Sequence, residues 1–158
     1  MINLTYVKGD AVKALQNKHV DFLMHCCNAQ GVMGSGIAAQ IRNAFPSTYQ
    51  VYQRYCEVSG RGKWLLGKTV IESGVINAIA QFQTGTHKRQ VHYGALARCI
   101  FDLSESNEVR GAGLHMRQTR IAVPYLMGCG LAGGDWSVVE EILQSCPNYV
   151  DLIVYQLE

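Results

Sequence analysis

Charged side chains are scarce in this chain of 158 residues. Lys, Arg, Asp and Glu make up 16% of it, against roughly 25% in an average soluble domain. The net charge of +2 gives no electrostatic argument for a nucleic-acid partner or an anionic membrane. No run approaches the roughly 18 apolar residues that span a bilayer, and residues 1–7 lack the pattern of a signal peptide. We therefore expect no membrane association, and nucleic acid is not indicated as a partner.

The cysteine pattern lacks the spacings of a metal site or a redox motif. The six cysteines form no CxxC pair and no zinc-like spacing with the five histidines, so we expect neither a metal nor a cofactor. Most of them have apolar neighbours, which is typical of buried, reduced thiols. A cytoplasmic protein is the expectation that follows. The cysteines are Cys26, Cys27, Cys56, Cys99, Cys129 and Cys146.

Proline and low-complexity tracts are also rare. With 3 prolines, 48% hydrophobic residues and no repeat, residues 1–158 are predicted to form a single compact domain. Apolar patterning predicts strands at 2–7, 20–26, 68–72, 75–79, 120–124 and 150–157, and helices at 11–18, 37–45, 91–103 and 136–143. A further helix capped by Ser47 is expected to run to Val58, while 81–90 and 105–114 are expected to be loops. The alternation favours an α/β sheet flanked by helices.

Glycine is the one residue type in clear surplus. It makes up 16 of 158 residues, about 10%, against an average near 7%. Seven of the 16 lie in two stretches, 31–36 and 128–134, each after a predicted buried strand and before a helix. Glycines at such places let backbone N–H groups approach an anion, and two of these loops could hold a diphosphate from both sides. Neither loop has the Walker or the dinucleotide-binding pattern.

Asp10 follows the first strand and precedes a helix. Its side chain is expected either to cap that helix or to accept a hydrogen bond from a ligand amino group such as that of adenine. The two roles compete for the same oxygens.

Four segments lie in this order along the chain: residues 9–11 (GDA), 25–38 (HCCNAQGVMGSGIA), 75–77 (VIN) and 124–136 (PYLMGCGLAGGDW). Together they resemble the motifs of the macro domain, an ADP-ribose-binding family. The similarity covers essentially the whole chain and is greatest to the branch that contains ADP-ribose-1″-phosphate phosphatases and small ADP-ribosyl-ester hydrolases. It implies a three-layer α-β-α fold with a central mixed, largely parallel sheet.

The resemblance implies ADP-ribose or a derivative as the ligand. Asp10 would hold the adenine amino group, the first glycine loop would line the distal ribose, and both loops would contact the diphosphate. The implied substrate-binding residues are Asp10, Ala11, Asn28, Gly34, Ser35, Gly36, Ile37, Gln81, Gly128, Cys129, Gly130, Leu131, Ala132 and Gly133.

Hydrolysis requires an activated water or a nucleophile. In the glycohydrolase branch of the family the catalytic lysine follows the strand that matches 75–79, and Gln81 stands in that place here. Glutamine cannot form a Schiff base or act as a base near neutral pH. Lys88 lies seven positions later, where an exposed loop lysine is the simpler interpretation. We therefore do not expect a covalent mechanism based on lysine.

Asp135 and Asn28 are the catalytic candidates. Asp135 either caps the last helix or projects towards the distal ribose, although the ester-hydrolase relatives place their essential Asp where Ala132 stands here. Asn28 either orients water or a ribose hydroxyl, or satisfies backbone groups of the loop. His25 is expected to be a core histidine.

The remaining histidines and aromatic residues are weaker candidates. His87 and His92 would bind a terminal phosphate or lie in a solvated loop. Tyr125 and Trp136 flank the second glycine loop, where ligand contact and loop packing are the alternatives. Tyr155 would contact the adenine or pack in the core.

Three functions follow from the resemblance. The leading one is removal of phosphate from ADP-ribose-1″-phosphate, with water assisted by Asn28 and Asp135. The alternatives are a non-catalytic ADP-ribose reader and a hydrolase that removes ADP-ribose from protein carboxylates. ADP-ribosylated protein would then be a partner.

Overall fold

The computed structural model describes residues 3–85, 89–113, 118–130 and 132–157. The strands within these ranges are β1 (Asn3–Lys8), β2 (Phe22–Asn28), β3 (Thr69–Glu72), β4 (Val75–Gln81), β5 (Thr119–Pro124) and β6 (Val150–Gln156). The α-helices are α1 (Ala11–Gln16), α2 (Gly36–Ala44), α3 (Pro46–Val58), α4 (Tyr93–Glu105), α5 (Asn107–Ala112) and α6 (Trp136–Leu143), and a short 3₁₀ helix lies at Lys63–Leu65. The predicted alternation of strands and helices is confirmed.

The described strands form one sheet in the order β1-β6-β5-β2-β4-β3. β1, β6, β5, β2 and β4 are parallel to one another, and β3 pairs antiparallel with β4 at the edge. The hairpin between β3 and β4 turns at Ser73 and Gly74, with φ values of 56° and 78°. Two successive positive φ angles are typical of the tight turn that matches strand twist. The predicted mixed, largely parallel sheet is confirmed.

Helices cover both faces of this sheet. On one face Leu23 of β2 packs in a cluster with Val12 and Ile41 of α1 and α2. On the other face Met24 packs in a cluster with Leu96 of α4. Successive residues of a strand point to opposite faces, so a strand covered on both sides reads as a continuous apolar run. The three-layer α-β-α arrangement is confirmed.

One predicted loop contains a helix. α5 lies within residues 105–114, which patterning had suggested were a loop. The Ser106 side chain accepts a hydrogen bond from the Val109 N–H at 3.2 Å, and Val109 is fully buried. A cap and a single buried apolar residue are enough to stabilise this helix because α5 packs on the larger core. The segment is too short to show helical periodicity, so patterning could not identify it.

The start of α3 also differs from the prediction. Pro46 is the first residue of the helix and Phe45 occupies the N-cap position, so Ser47 is not the cap. Proline suits the first helical position because its fixed φ is helical and its missing N–H is not needed there. The Ser47 hydroxyl instead bonds the Ser73 hydroxyl at 2.8 Å.

The strand order creates a crevice between β2 and β5. These neighbours lie side by side, but the chain leaves β2 through α2 and α3 towards β4, and leaves β5 through α6 towards β6. α2 and α6 pack on opposite faces of the sheet. Loops that diverge in this way open a crevice at the carboxyl ends of the strands, where ligands of open α/β sheets bind. Both glycine loops are the connections that diverge.

Two further properties bear on the sequence expectations. All six cysteines lie within the described residues; none forms a disulfide, and four are buried. No helix in the described part of the chain is long and apolar enough to cross a membrane.

Candidate ligand-binding cavity

A cavity of about 840 Å³ opens at the carboxyl ends of the parallel strands. This volume falls in the range of roughly 300–1,000 Å³ typical of small-molecule sites. The sequence-predicted residues that line it are Asp10, Ala11, Asn28, Ser35, Gly36, Ile37, Gln81, Gly128, Gly130 and Ala132. Gly34, Cys129, Gly133 and Asp135 are not among the lining residues, and Leu131 lies outside the described residues.

The Asn28 side chain holds the first glycine loop in place. Its Oδ1 accepts the N–H groups of Gln30 at 3.0 Å and Val32 at 3.2 Å, and its Nδ2 donates to the Val32 carbonyl at 2.9 Å. The hydroxyl of Tyr52, a fully buried residue of α3, contacts both the Asn28 carbonyl at 2.5 Å and Oδ1 at 3.0 Å. These donors fix the orientation of the carboxamide. One Nδ2 hydrogen remains for a ligand, so Asn28 can donate a bond there but cannot act as a base.

The first turn of α2 presents unsatisfied donors to the cavity. Ser35 is at the N-cap position, but its side chain makes no capping bond. The N–H groups of Gly36, Ile37 and Ala38 donate to no other described residue, and all three residues line the cavity. Unpaired N–H groups and the positive end of the helix dipole favour an anion at this place.

The second glycine loop supplies another set of donors. The N–H groups of Gly130 and Ala132 have no acceptor among the described residues, and both residues line the cavity. A Cβ on Gly130 would meet no atom within 4 Å, so the space beside it is open. A Cβ on Gly134, by contrast, would lie 2.5 Å from the Gly128 carbonyl oxygen. Gly134 is therefore required by the fold of the loop, and Gly130 leaves room for a ligand.

Asp135 caps α6. Its Oδ1 accepts the Ser137 hydroxyl at 2.7 Å and the Ser137 N–H at 2.9 Å, and these bonds lower the pKa of the carboxyl below its usual value. Its own N–H donates to the Tyr93 hydroxyl at 2.9 Å. Of the two roles that the sequence allowed, the geometry favours the cap. The positive end of α6 is thus occupied by a side chain of the protein, whereas that of α2 is open.

The geometry of Asp10 is compatible with both roles considered for it. Its Oδ1 accepts the N–H groups of Val12 at 2.9 Å and Lys13 at 3.1 Å, which caps α1. Its Oδ2 accepts no hydrogen bond from any residue that the structure describes, and Asp10 lines the cavity. The competition for oxygens expected from the sequence does not arise, because one oxygen caps the helix and the other remains for a ligand.

Gln81 ends β4 opposite Asn28, after a shift in strand register at that point. Its side chain has no hydrogen-bond partner among the described residues, and it lines the cavity. His87 and Lys88 lie outside the described residues. The described His92 is exposed, and its Nδ1 accepts the Ala95 N–H at 3.0 Å to cap α4.

His25 is a core histidine, as expected. It is fully buried, and its Nε2 lies 2.8 Å from the Asn77 Oδ1. Burial lowers the pKa of the ring to about 4, although the bond to Asn77 opposes that shift. The ring is therefore uncharged near neutral pH.

The cavity includes residues that sequence reasoning missed. Leu126 follows β5, Thr84 follows β4, and Gln156 ends β6. Each comes at or directly after the carboxyl end of a parallel strand, which is the signal that could have identified it. Tyr155, considered as an alternative, also lines the cavity, with its ring 3.4 Å from the position of a Cβ on Gly9.

Trp136 packs at the edge of the second loop. Its ring lies 5.3 Å from that of Tyr125 and 6.5 Å from that of Tyr6, both edge to face. Its Nε1 donates to the Tyr6 hydroxyl at 3.1 Å, and that hydroxyl donates to Glu140. This arrangement favours the loop-packing role for Trp136, while Tyr125 extends from the cluster to the cavity wall.

Little charge is present in the cavity. Among its described lining residues, Asp10 is the only Asp, Glu, Lys, Arg or His. Burial raises the pKa of the Cys26 thiol to about 12 and that of Cys27 well above its usual value, so neither is a thiolate at neutral pH. Within the described residues no three His, Cys, Asp or Glu side chains gather as metal ligands. An anion in this cavity would be held by backbone N–H groups.

Fold and cavity together define a three-layer α/β domain with an open cavity at the switch point of its sheet. Residues 24–143 match the sequence profile of the Macro domain. The chain belongs to the macro domain family.

Individual relatives agree with this assignment. An ADP-ribose 1″-phosphate phosphatase of Candida glabrata is 39% identical over 184 residues, covering 99% of this chain and 100% of that protein. A DNA ADP-ribosyl glycohydrolase of Mycobacterium tuberculosis is 29% identical over 96% of this chain, and the matched region spans 42% of that longer protein. The solved macrodomain of Mycobacterium tuberculosis DarG is 26% identical with a TM-score of 0.70, covering 98% of both chains.

Proposed function

We propose that this protein binds ADP-ribose in the cavity and removes the phosphate from ADP-ribose-1″-phosphate. The observation that carries the proposal is the pair of unpaired N–H sets, from the first turn of α2 and from the second glycine loop, that line one cavity. A diphosphate needs several donors and no cation to be bound in this way. The phosphatase relative that matches along its full length supports the choice of substrate.

The positions of the cavity's polar groups suggest an orientation for the ligand. Asp10 Oδ2, at the β1 end of the cavity, accepts a hydrogen bond from the adenine amino group. The diphosphate lies between the α2 N-terminus and the loop at Gly130. The distal ribose then lies at the β2 and β4 ends, beside Asn28 and Gln81.

The reaction consumes one water and yields ADP-ribose and inorganic phosphate. Water attacks the terminal phosphorus, the bond from phosphorus to the ribose oxygen breaks, and one proton of the water ends on that ribose oxygen. Backbone N–H groups hold the diphosphate, and preorganised donors of this kind stabilise developing charge without rearranging. The free Nδ2 hydrogen of Asn28 donates to the distal end of the substrate. We assign Asp135 no part in this chemistry because it does not line the cavity and its Oδ1 caps α6.

A non-catalytic reader of ADP-ribose is the second candidate function. The observation that favours it is the composition of the described lining, in which the one carboxylate, Asp10, lies at the adenine end and no histidine or lysine occurs. General-base catalysis at the distal ribose would need such a group within hydrogen-bond reach.

Phosphate release from ADP-ribose-1″-phosphate separates the two candidates. The wild-type protein should release phosphate, and Gly130→Val should not, because the new side chain extends into the open space beside Gly130. Gly111→Val is the matched control, since a Cβ on this exposed glycine of α5 also meets nothing within 4 Å. ADP-ribosylated protein serves as a second substrate in the same assay.

The outcomes distinguish the alternatives clearly. Wild-type protein that binds ADP-ribose but releases no phosphate and no ADP-ribose is a reader. Undiminished release by a folded Gly130→Val protein would place the reaction outside this cavity.

A further inference from the structure

We propose that Arg61 and Lys63 recognise a phosphate group joined to the distal ribose of the substrate. The proposal rests on the proposed function, since it concerns the substrate group beyond the distal ribose of bound ADP-ribose. It assigns a specificity-determining role to two exposed cations in the connection between α3 and β3.

Arg61 is fixed to the loop that follows β2. Its Nε donates to the Gln30 carbonyl at 3.2 Å, while its own carbonyl accepts a bond from Gln30 Nε2 at 3.4 Å. The Gln30 N–H in turn donates to Asn28 Oδ1. The guanidinium is thus held two contacts from a residue of the cavity wall, and its terminal nitrogens donate to no described acceptor.

Lys63 is placed over the loop that follows β4. Its Nζ lies 5.4 Å from the centre of the Phe82 ring. Phe82 comes directly after Gln81 and two residues before Thr84, both of which line the cavity. The Phe82 carbonyl also accepts a bond from Gln30 Nε2 at 3.0 Å, which joins the two loops that the cations contact. Both positive charges therefore lie at the β2 and β4 end, where the distal ribose is placed.

Charge balance explains why cations are needed at this end. Backbone N–H groups serve the diphosphate, but the described lining contains no cation for an additional phosphate. Within the described residues neither Arg61 nor Lys63 forms an ion pair, so both charges are available to a ligand. Charge-assisted bonds to phosphate are stronger than neutral ones, and arginine matches the geometry of phosphate oxygens.

The substrate class that follows is an ADP-ribosyl group joined to a phosphate. This phosphate is either the terminal monoester of ADP-ribose-1″-phosphate or the terminal phosphate of a nucleic-acid strand. A carboxylate ester on a protein side chain lacks that charge and would gain little from the two cations.

The test is the double variant Arg61→Gln/Lys63→Gln. We expect its KM for ADP-ribose-1″-phosphate to rise roughly 10-fold, while its Kd for ADP-ribose changes by less than about twofold because the diphosphate contacts remain. Added salt should raise the wild-type KM more steeply than that of the variant. An oligonucleotide with ADP-ribose on its terminal phosphate and a peptide with ADP-ribose on a glutamate side chain complete the substrate set.

A second double variant, Lys18→Gln/Arg110→Gln, is the matched control. It also removes two positive charges, one Lys and one Arg. Lys18 lies between α1 and β2, and Arg110 lies 5.6 Å from the ring of Tyr149, just before β6. Both control sites are at the opposite end of the sheet. The control should keep the wild-type KM.

Each outcome decides the proposal. A loss confined to one or both phosphate-linked substrates supports it and identifies the source of the phosphate. An equal loss for the peptide substrate, an equal effect of the control, or an unchanged KM for both phosphate-linked substrates would overturn it. Wild-type protein that fails to bind ADP-ribose would instead refute the proposed function on which it rests.

Discussion

The substitution Asp10→Asn tests the adenine contact without removing the helix cap. Asp10 Oδ1 accepts the N–H groups of Val12 and Lys13, and an asparagine must present its own oxygen to them, because an amide nitrogen cannot accept. The Nδ2 group then takes the place of Oδ2 in the cavity and cannot flip away. Asparagine and aspartate are similar N-caps, so the unfolding free energy should change by less than about 0.5 kcal/mol.

We expect the variant to bind ADP-ribose much more weakly, and the direction of this change identifies its cause. The variant places an amide donor opposite the amino donor of adenine, and an unsatisfied buried donor costs about 1–3 kcal/mol, or roughly 5- to 150-fold in Kd. Electrostatics alone predicts the reverse, since removing a carboxylate from the cavity favours an anionic ligand. Weaker binding therefore identifies the hydrogen bond as the cause.

Titration calorimetry with two ligands checks this reasoning. The Asp10→Asn protein should bind ADP-ribose more weakly than wild type, but it should discriminate less against the hypoxanthine analogue, whose exocyclic carbonyl oxygen accepts a bond from the amide. Asp10→Ser keeps a cap and removes the group facing the ligand, which makes it the control for stability. Unchanged ADP-ribose affinity in both variants would show that Asp10 only caps α1.

Three further predictions follow from the geometry. Asp135→Ala should lower the thermal unfolding midpoint through loss of the α6 cap and leave kcat for phosphate release unchanged; a large fall in kcat in a folded variant would restore a catalytic role. Gly134→Ala should destabilise the protein by roughly 1–3 kcal/mol in urea unfolding, because a Cβ would lie 2.5 Å from the Gly128 carbonyl, and an unchanged midpoint would refute that clash. The pKa of His25 is about 4 in the folded state and near 6.5 in the unfolded state. Between these two values the unfolded state binds more protons. The unfolding free energy should therefore fall by about 2 kcal/mol from pH 7 to pH 5. His25→Gln should lack that component, and the same pH dependence in both proteins would contradict the assignment.

Much of the fold could be predicted because its strands are covered on both faces. The apolar run of β2 and the glycines that follow it are signals within single short segments, and they located the first loop correctly. α6 likewise begins and ends at the predicted residues, since its apolar positions repeat with helical spacing. α5 contains a single buried apolar residue, so the apolar pattern could not distinguish this helix from a loop.

The side-chain roles were harder to predict because they depend on strand order. Tyr125 and Tyr155 share a cavity wall only because β5 and β6 are neighbours, and nothing in their local sequence shows that pairing. The sequence allowed two roles for Asp135, and the position of Ser137 in the folded loop favours the helix cap. The number of bonds that Asn28 makes likewise depends on Tyr52, which lies 24 residues away in α3.

The central claim is that ADP-ribose occupies the cavity between the two glycine loops. Calorimetric titration of wild-type, Gly130→Val and Gly111→Val proteins with ADP-ribose tests it most directly. We predict one binding site per chain in the wild type and in Gly111→Val, and loss of binding in a folded Gly130→Val protein. No heat and no thermal shift with millimolar ADP-ribose in the wild type, or full affinity in Gly130→Val, would contradict the claim.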